Sequence, residues 1–271
     1  MGPIFVTDDK GTLRAVDFGF NAWGGLVNGL YFPWDQDQLV ARKVCEIERV
    51  DYYDATDFVL EGGAFTVDGE GTLITTEMCL LDPGRNPHLT KAETEEKLKE
   101  YLGIEKVIWL KDGVDPEETN GHIDGVAAFV APGEVACVWT DDESLPCYQA
   151  LRDAYETLCN ATDAKGRKLK VHKLCMGAKE LYIDPNFRID QVEGSLARDE
   201  DHWCPVDYLN WLIINGGVIV PQYGDPNDEL ALQQVREMFP GYKVVGVNTR
   251  EIIFGGGNVH CITQQQPSVK K

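Results

Sequence analysis

The stretch that decides the fold runs from residue 58 to 110. It opens FVLEGGAFTVDGEGTLITTEMC (58–79), continues to TKAETEEKLKEYLG (90–103) and ends KVIWL (106–110). Two β-rich runs, Phe58 to Val67 and Thr72 to Cys79, flank a Gly/Asp turn cluster. A helix then opens with a capping box, Thr90 and Glu93, and stops at Gly103. Lys106 to Leu110 is a third strand. Strand, strand, helix, strand is one supersecondary unit, and the same order recurs along the chain.

Working outward, helices are predicted over Asp35 to Tyr53, Pro146 to Cys159 (proline in the first turn) and Asp225 to Phe239. Further β-rich runs are Val126 to Val130, Val135 to Trp139, Lys168 to Lys173, Val218 to Val220, Val244 to Val247 and Asn258 to Thr263. Glycine pairs or triplets punctuate them at residues 24–25, 62–63, 216–217 and 255–257. No linker or long charge run divides the chain, so residues 1–271 are expected to form one catalytic domain. Residues 184 to 207 are the least regular and are expected to be a surface excursion. The tail after Gln266 is expected to fray.

Composition narrows the function. With 45 Asp and Glu against 25 Lys and Arg, the net charge is -20. That argues against a nucleic-acid partner, which needs a basic surface, and suits a small cation; solubility alone is the blander explanation. No apolar run is long enough to span a membrane and no export signal is visible, so a cytoplasmic protein is expected. The eight cysteines form no CxxC pair, which excludes a zinc framework and a disulfide scaffold. No GxxxxGK[ST] occurs, and residues 255–257 lead into a β-like run, so the glycines make poor nucleotide loops.

Four segments join scarce reactive residues to glycine-shaped backbone: Glu61-Gly62-Gly63, Asn120-Gly121-His122-Ile123-Asp124-Gly125, Asn215-Gly216-Gly217, and Gly255-Gly256-Gly257-Asn258-Val259-His260-Cys261. Cys261 after a triple glycine is a nucleophile candidate, set against the ordinary reading of an inert buried cysteine. His122 and Asp124, two apart, share a face if extended and would present a base and an anion together; the alternative is a turn histidine with a solvated aspartate. Glu61, at the mouth of an apolar strand, needs a partner or faces water. His260 would point away from Cys261 if the segment is a strand, leaving His122 as the better base. His88, His172 and His202 read as structural or exposed.

These segments resemble the agmatine deiminases of the peptidylarginine/agmatine deiminase-like family, within the guanidine-modifying pentein superfamily. The resemblance spans most of the chain: Phe20 to Gly25 (FNAWGG), Leu60 to Gly71, Arg85 to His88 (RNPH), Thr119 to Asp124 (TNGHID), Trp139 to Glu143 (WTDDE), Asn215 to Pro226 and Gly255 to Pro267. The plant-type branch looks nearest. The resemblance implies an α/β propeller of pseudo-symmetric ββαβ modules, no metal or organic cofactor, and a homodimer. It implies Cys261 as nucleophile, His122 as general acid/base, Glu61 as the carboxylate holding that histidine, and Asp124 as a guanidinium ligand. The implied reaction takes agmatine to N-carbamoylputrescine and ammonia, toward putrescine. The family's Trp-x-Arg-Asp-Thr-Gly-Pro motif would place its aspartate just before Met1, so one module is expected to be largely missing at the N-terminus. The alternatives are a truncated non-catalytic homologue, a related enzyme such as an arginine deiminase, and a cysteine hydrolase of peptides. Residues 194 to 211 match the family loosely, and no site residue is expected there.

Overall fold

The computed structural model describes residues 1–114, 118–187, 193–195, 198 and 200–269. Its frame is four three-stranded sheets of one construction. The first joins β1 (Ile4–Thr7), β2 (Leu13–Gly19), α1 (Val40–Glu48) and β3 (Tyr52–Val59). The second has β4 (Phe65–Val67), β5 (Thr72–Thr76), α2 (Lys91–Leu102) and β6 (Lys106–Leu110). The third has β7 (Ala127–Ala131), β8 (Glu134–Trp139), α3 (Tyr148–Asn160) and β9 (Lys170–Cys175). After a short hairpin, β10 (Leu181–Tyr182) with β11 (Trp203–Cys204), the fourth has β12 (Leu212–Ile214), β13 (Gly217–Gln222), α4 (Asp228–Met238) and β14 (Lys243–Asn248).

In each unit the first two strands pair antiparallel across a short connection. The third lies parallel to the second. A parallel partner needs a crossover, and the helix supplies it. The second unit shows the local causes. Asp68 accepts the backbone N–H of Glu70 and Thr72 at 2.8 and 2.9 Å, which closes the β4–β5 turn. Both bonds of the Thr90–Glu93 capping box form, and Gly103 takes the left-handed cap at φ 65°. Every residue of β5 is buried. Its neighbours Leu73 and Ile74 point to opposite faces and enter different apolar clusters. Leu73 joins Val16, Phe18, Phe58 and Leu98, while Ile74 joins Val135, Leu151, Val220 and Val235.

Several sequence boundaries move. The helix expected over Asp35 to Tyr53 breaks into Asp35–Gln38 and Val40–Glu48, and Arg49 turns left-handed at φ 56°. Tyr52 and Tyr53 belong to a strand instead. The run Phe58 to Val67 is two strands separated by a 3₁₀ turn at Gly62–Ala64. Asn258 to Thr263 is not a strand but a chain of turns, with Ile262 N–H donating to Asn258 O and Thr263 N–H to His260 O. Strands Ile4–Thr7, Leu13–Gly19 and Leu212–Ile214 have no counterpart among the β-rich runs read from sequence. Within the excursion expected over 184 to 207, residues 188–192, 196–197 and 199 lie outside the described residues, as do 270 and 271 of the tail. Among the described residues, no helix is long and apolar enough to cross a membrane.

Candidate active site

Three loops meet in one hollow of about 650 Å³, whose wall includes Glu61, His122, Asp124 and Cys261. The four residues singled out from sequence are therefore brought together.

Glu61 leaves the end of β3 and is buried. Its Oε1 accepts from Arg85 Nε at 2.9 Å, with both side chains out of solvent. Arg85 also donates from Nη2 to Thr119 O at 2.6 Å, which fastens the His122 loop to the same cation. Its neighbour Asn86 pairs with both the N–H and the carbonyl of Val59 at 2.9 Å, fixing the strand end from which Glu61 projects. Thr76, at the end of β5, donates to Gly121 O at 2.7 Å and holds the loop from below.

His122 is buried, with Nε2 3.7 Å from Glu61 Oε2, beyond hydrogen-bond length. Burial opposes its charge, but contacts with Cys79 and then Glu61 outweigh that and push its pKa up to about 10. It is thus an imidazolium at neutral pH. Burial likewise opposes the charge of Glu61, and Arg85 with His122 overrides it, holding the carboxyl below its usual range.

Gly63 explains the glycine after Glu61. A Cβ there would lie 2.4 Å from His122 Nδ1 and 2.8 Å from Asp124 Oδ2. His122 and Asp124 thus face one patch of bare backbone, although residues 123–125 form a 3₁₀ turn rather than a strand. At the other loop, a Cβ on Gly257 would sit 3.0 Å from Cys261 Sγ, so the glycine lets the sulfur fold back.

Asp124 is the hub. Its Oδ2 lies 2.9 Å from His260 Nδ1, 3.1 Å from Asn210 Nδ2 and 3.3 Å from Cys261 Sγ. His260 therefore corrects the sequence expectation: the segment turns instead of extending, so residues 260 and 261 reach the same carboxylate. Burial opposes the charge of Asp124, but His260 and His122 keep the carboxyl below its usual range. Cys261 as a whole is solvent-exposed, yet protein crowds its sulfur. That burial, followed by the Asp124 charge, pushes the thiol well above the ordinary range. At rest the sulfur carries its proton.

Asn210 and Asp207 complete the site, from the stretch where no site residue was expected. Asp207 Oδ1 accepts the backbone N–H of Leu209 and Asn210, each at 3.1 Å. Its own pKa is pushed up to about 7 by burial and by Asp124. Tyr223 Oη donates to Asp207 O at 2.7 Å and accepts from Asn258 Nδ2 at 3.0 Å, joining this loop to the Cys261 loop. The signal available in sequence was the aspartate placed two and three residues before Leu209 and Asn210 at a strand entrance, an Asx-turn pattern.

A second, smaller recess of about 60 Å³ shares His122, Asp124 and Cys261 with the first and is lined in part by Glu118, His202 and Ile253. His202 Nε2 lies 2.8 Å from Glu118 Oε1. His172 pairs with Glu134 at 2.7 Å, away from the site, and His88 is exposed. Among the described residues Glu61, Cys79 and His122 bring a metal-type donor set within 4.8 Å. The Arg85 guanidinium already on Glu61 opposes a cation there.

A thiol, an imidazolium and two carboxylates line one hollow, an arrangement that fits a hydrolase. The comparisons give the family. The model described as Porphyromonas-type peptidyl-arginine deiminase matches residues 1–267, and the chain belongs to that family. A Pseudomonas aeruginosa agmatine deiminase is 52% identical over 271 residues, 100% of this chain and 74% of its own. A structure of the Enterococcus faecalis agmatine deiminase superposes with a TM-score of 0.97 at 62% identity, covering 99% of this chain and 74% of that one. A substrate-bound C. jejuni agmatine deiminase gives 0.79 at 31% identity, covering 96% and 70%. These relatives are bacterial.

Proposed function

We propose that the chain hydrolyses agmatine to N-carbamoylputrescine and ammonia, a step toward putrescine, with Cys261, His122, Glu61 and Asp124 as its working residues. The carrying observation is the largely enclosed Asp124 carboxylate 3.3 Å from the Cys261 sulfur. An anion beside a nucleophile suppresses the thiolate, and the pair becomes productive when a cation sits between them. Guanidinium fits: it is planar, permanently charged and a fork of donors.

In this reading the bound cation offsets Asp124 and lets the thiol give its proton to solvent. The thiolate attacks the guanidinium carbon and forms the C–S bond. His122, already protonated, gives its proton to the departing nitrogen as the C–N bond breaks, releasing ammonia and leaving a thiouronium ester. The now neutral His122 takes a proton from water, whose oxygen attacks the same carbon. The hydroxyl of this adduct gives its proton to solvent as the C–S bond breaks, freeing N-carbamoylputrescine and the thiolate. Glu61 favours the charged form of His122 and so its return to that form once the water proton is taken.

The finer fold reading is a pseudo-fivefold α/β propeller in one catalytic domain. Its support is four units of one construction around one site; a fivefold ring takes one unit more. A cytoplasmic homodimer, as the family resemblance implies, completes the proposal and is tested by sedimentation, and the acidic composition argues against a nucleic-acid partner. The non-catalytic reading is disfavoured by the assembled site and by the identity to agmatine deiminases.

Incubation with agmatine should release ammonia and N-carbamoylputrescine, and Cys261→Ala should lower turnover by roughly 10⁴-fold or more while the melting curve persists. Retained turnover in the alanine variant would sink the mechanism. Preference for arginine over agmatine in a substrate panel would move the assignment to an arginine deiminase.

A further inference from the structure

We propose that Asn210 positions the nucleophile: its side-chain amide seats the Cys261 loop and donates to the sulfur once the sulfur is a thiolate. The inference rests on Cys261 being the nucleophile, as argued above.

A side-chain amide has two donor hydrogens and an acceptor oxygen with two lone pairs. Here all four positions are occupied. Oδ1 accepts the backbone N–H of His260 at 3.1 Å and of Cys261 at 3.3 Å. Nδ2 donates to Asp124 Oδ2 at 3.1 Å and to Cys261 Sγ at 3.2 Å. The assignment of oxygen and nitrogen is forced, since two N–H groups face one end and a carboxylate the other. Asn210 is itself buried and its own N–H is held by Asp207. The amide therefore cannot drift from the sulfur without breaking bonds at both ends.

The consequence is chemical. Asp124 touches the thiol, and Glu61, His122, His260, Asp207, Glu118 and His202 line the two hollows that Cys261 lines, with Tyr223 behind. Asp124 disfavours the thiolate. The amide is a neutral donor that strengthens when the sulfur becomes charged, because hydrogen bonds to ions are the stronger kind. It also spans Asp124 and Cys261 as a fixed spacer, leaving the two to present a carboxylate oxygen and a sulfur to the same planar cation. Aspartate at this position keeps the shape, loses both donors and adds a second anion.

The test uses Asn210→Asp and Asn210→Ala in the whole chain, with two readouts: the pH profile of kcat/KM for agmatine, and the rate at which neutral iodoacetamide labels Cys261, read on its peptide. The proposal expects the alkaline shift of the acidic limb to be about one unit in the alanine variant, with labelling about tenfold slower at fixed pH. The aspartate variant should exceed both. A purely structural role would lower the melting temperature and leave limb and labelling in place, which would overturn the proposal. Failure of both variants to fold would overturn it as well, since Asn210 would then belong to the fold. Turnover surviving in Cys261→Ala would instead condemn the nucleophile assignment, whatever Asn210 does.

Discussion

Two carboxylates of the site, Glu61 and Asp124, are wired in opposite ways. Glu61 is buried against Arg85 at 2.9 Å, a cation that does not titrate. Asp124 is partly exposed, and its direct partners are an imidazole, an amide and a thiol. Glu61 has a guanidinium in direct contact, whereas among the described residues the ion-pair contact of Asp124 is with a histidine. In the proposed mechanism the difference separates a group that organises the site from one that receives the cation. Fold stability should therefore depend on the first, and chemistry on the second.

The largest effect that could break this contrast is at Glu61. Glu61→Gln leaves Arg85 charged and buried without its partner, and unpairing a buried ion pair costs about 3–5 kcal/mol. Urea denaturation should show that loss. An unchanged midpoint would mean that water or another anion reaches Arg85, and the asymmetry would disappear.

Asp124→Asn is the converse test. It should cost roughly 10²–10³-fold in kcat/KM, the scale of losing a preorganised charge interaction. The same change should speed labelling of Cys261 by neutral iodoacetamide, because the anion that suppresses the thiolate is gone. Opposite signs for turnover and for thiol reactivity are the signature. Slower labelling would show that Asp124 supports the thiolate instead of opposing it.

Much of this arrangement could be read in the sequence, and the gaps have physical reasons. The Thr90–Glu93 capping box and Gly103 are local signals, formed by residues close in the chain, and the structure has them as read. Glu61, His122, Asp124 and Cys261 were legible because reactive types sat beside glycines. Arg85 was visible in the RNPH motif, but its role needs a contact 24 residues away. His260 was misplaced because strand alternation does not hold for a segment that turns. Asn210 reaches Asp124 across 86 positions and Cys261 across 51, separations that no periodicity encodes.

Titration probes both halves together. The folded pKa of His122 is above the ordinary 6.5, at about 10. Its contribution is therefore full below about 6.5 and is lost as pH rises through about 10. Glu61 and Asp124 are held below 4.5 and 3.8, so their contributions are present above those values and fall away in acid. Stability measured against pH should decline on the alkaline side, and His122→Gln should flatten that decline above pH 6.5. An unaltered alkaline arm would show that His122 is not the group carrying the charge.

The smallest expected effect concerns Asp207, which neither half of the contrast explains. Its folded pKa lies near 7, raised from 3.8 by burial and by the charge of Asp124. A raised carboxyl binds its proton more tightly when folded, so its contribution favours folding at low pH and diminishes as pH rises from about 3.8 to about 7. The change Asp207→Asn keeps a carbonyl for the N–H groups of Leu209 and Asn210 while removing the anion that repels Asp124. It should thus gain on the order of 1 kcal/mol at about pH 8, one unit of relieved repulsion being about 1.4 kcal/mol. It should gain nothing at about pH 4, where the native group is already largely neutral when folded. A gain of equal size at both pH values would assign the effect to packing, and the repulsion that sets Asp124 apart from Glu61 would lose its second witness.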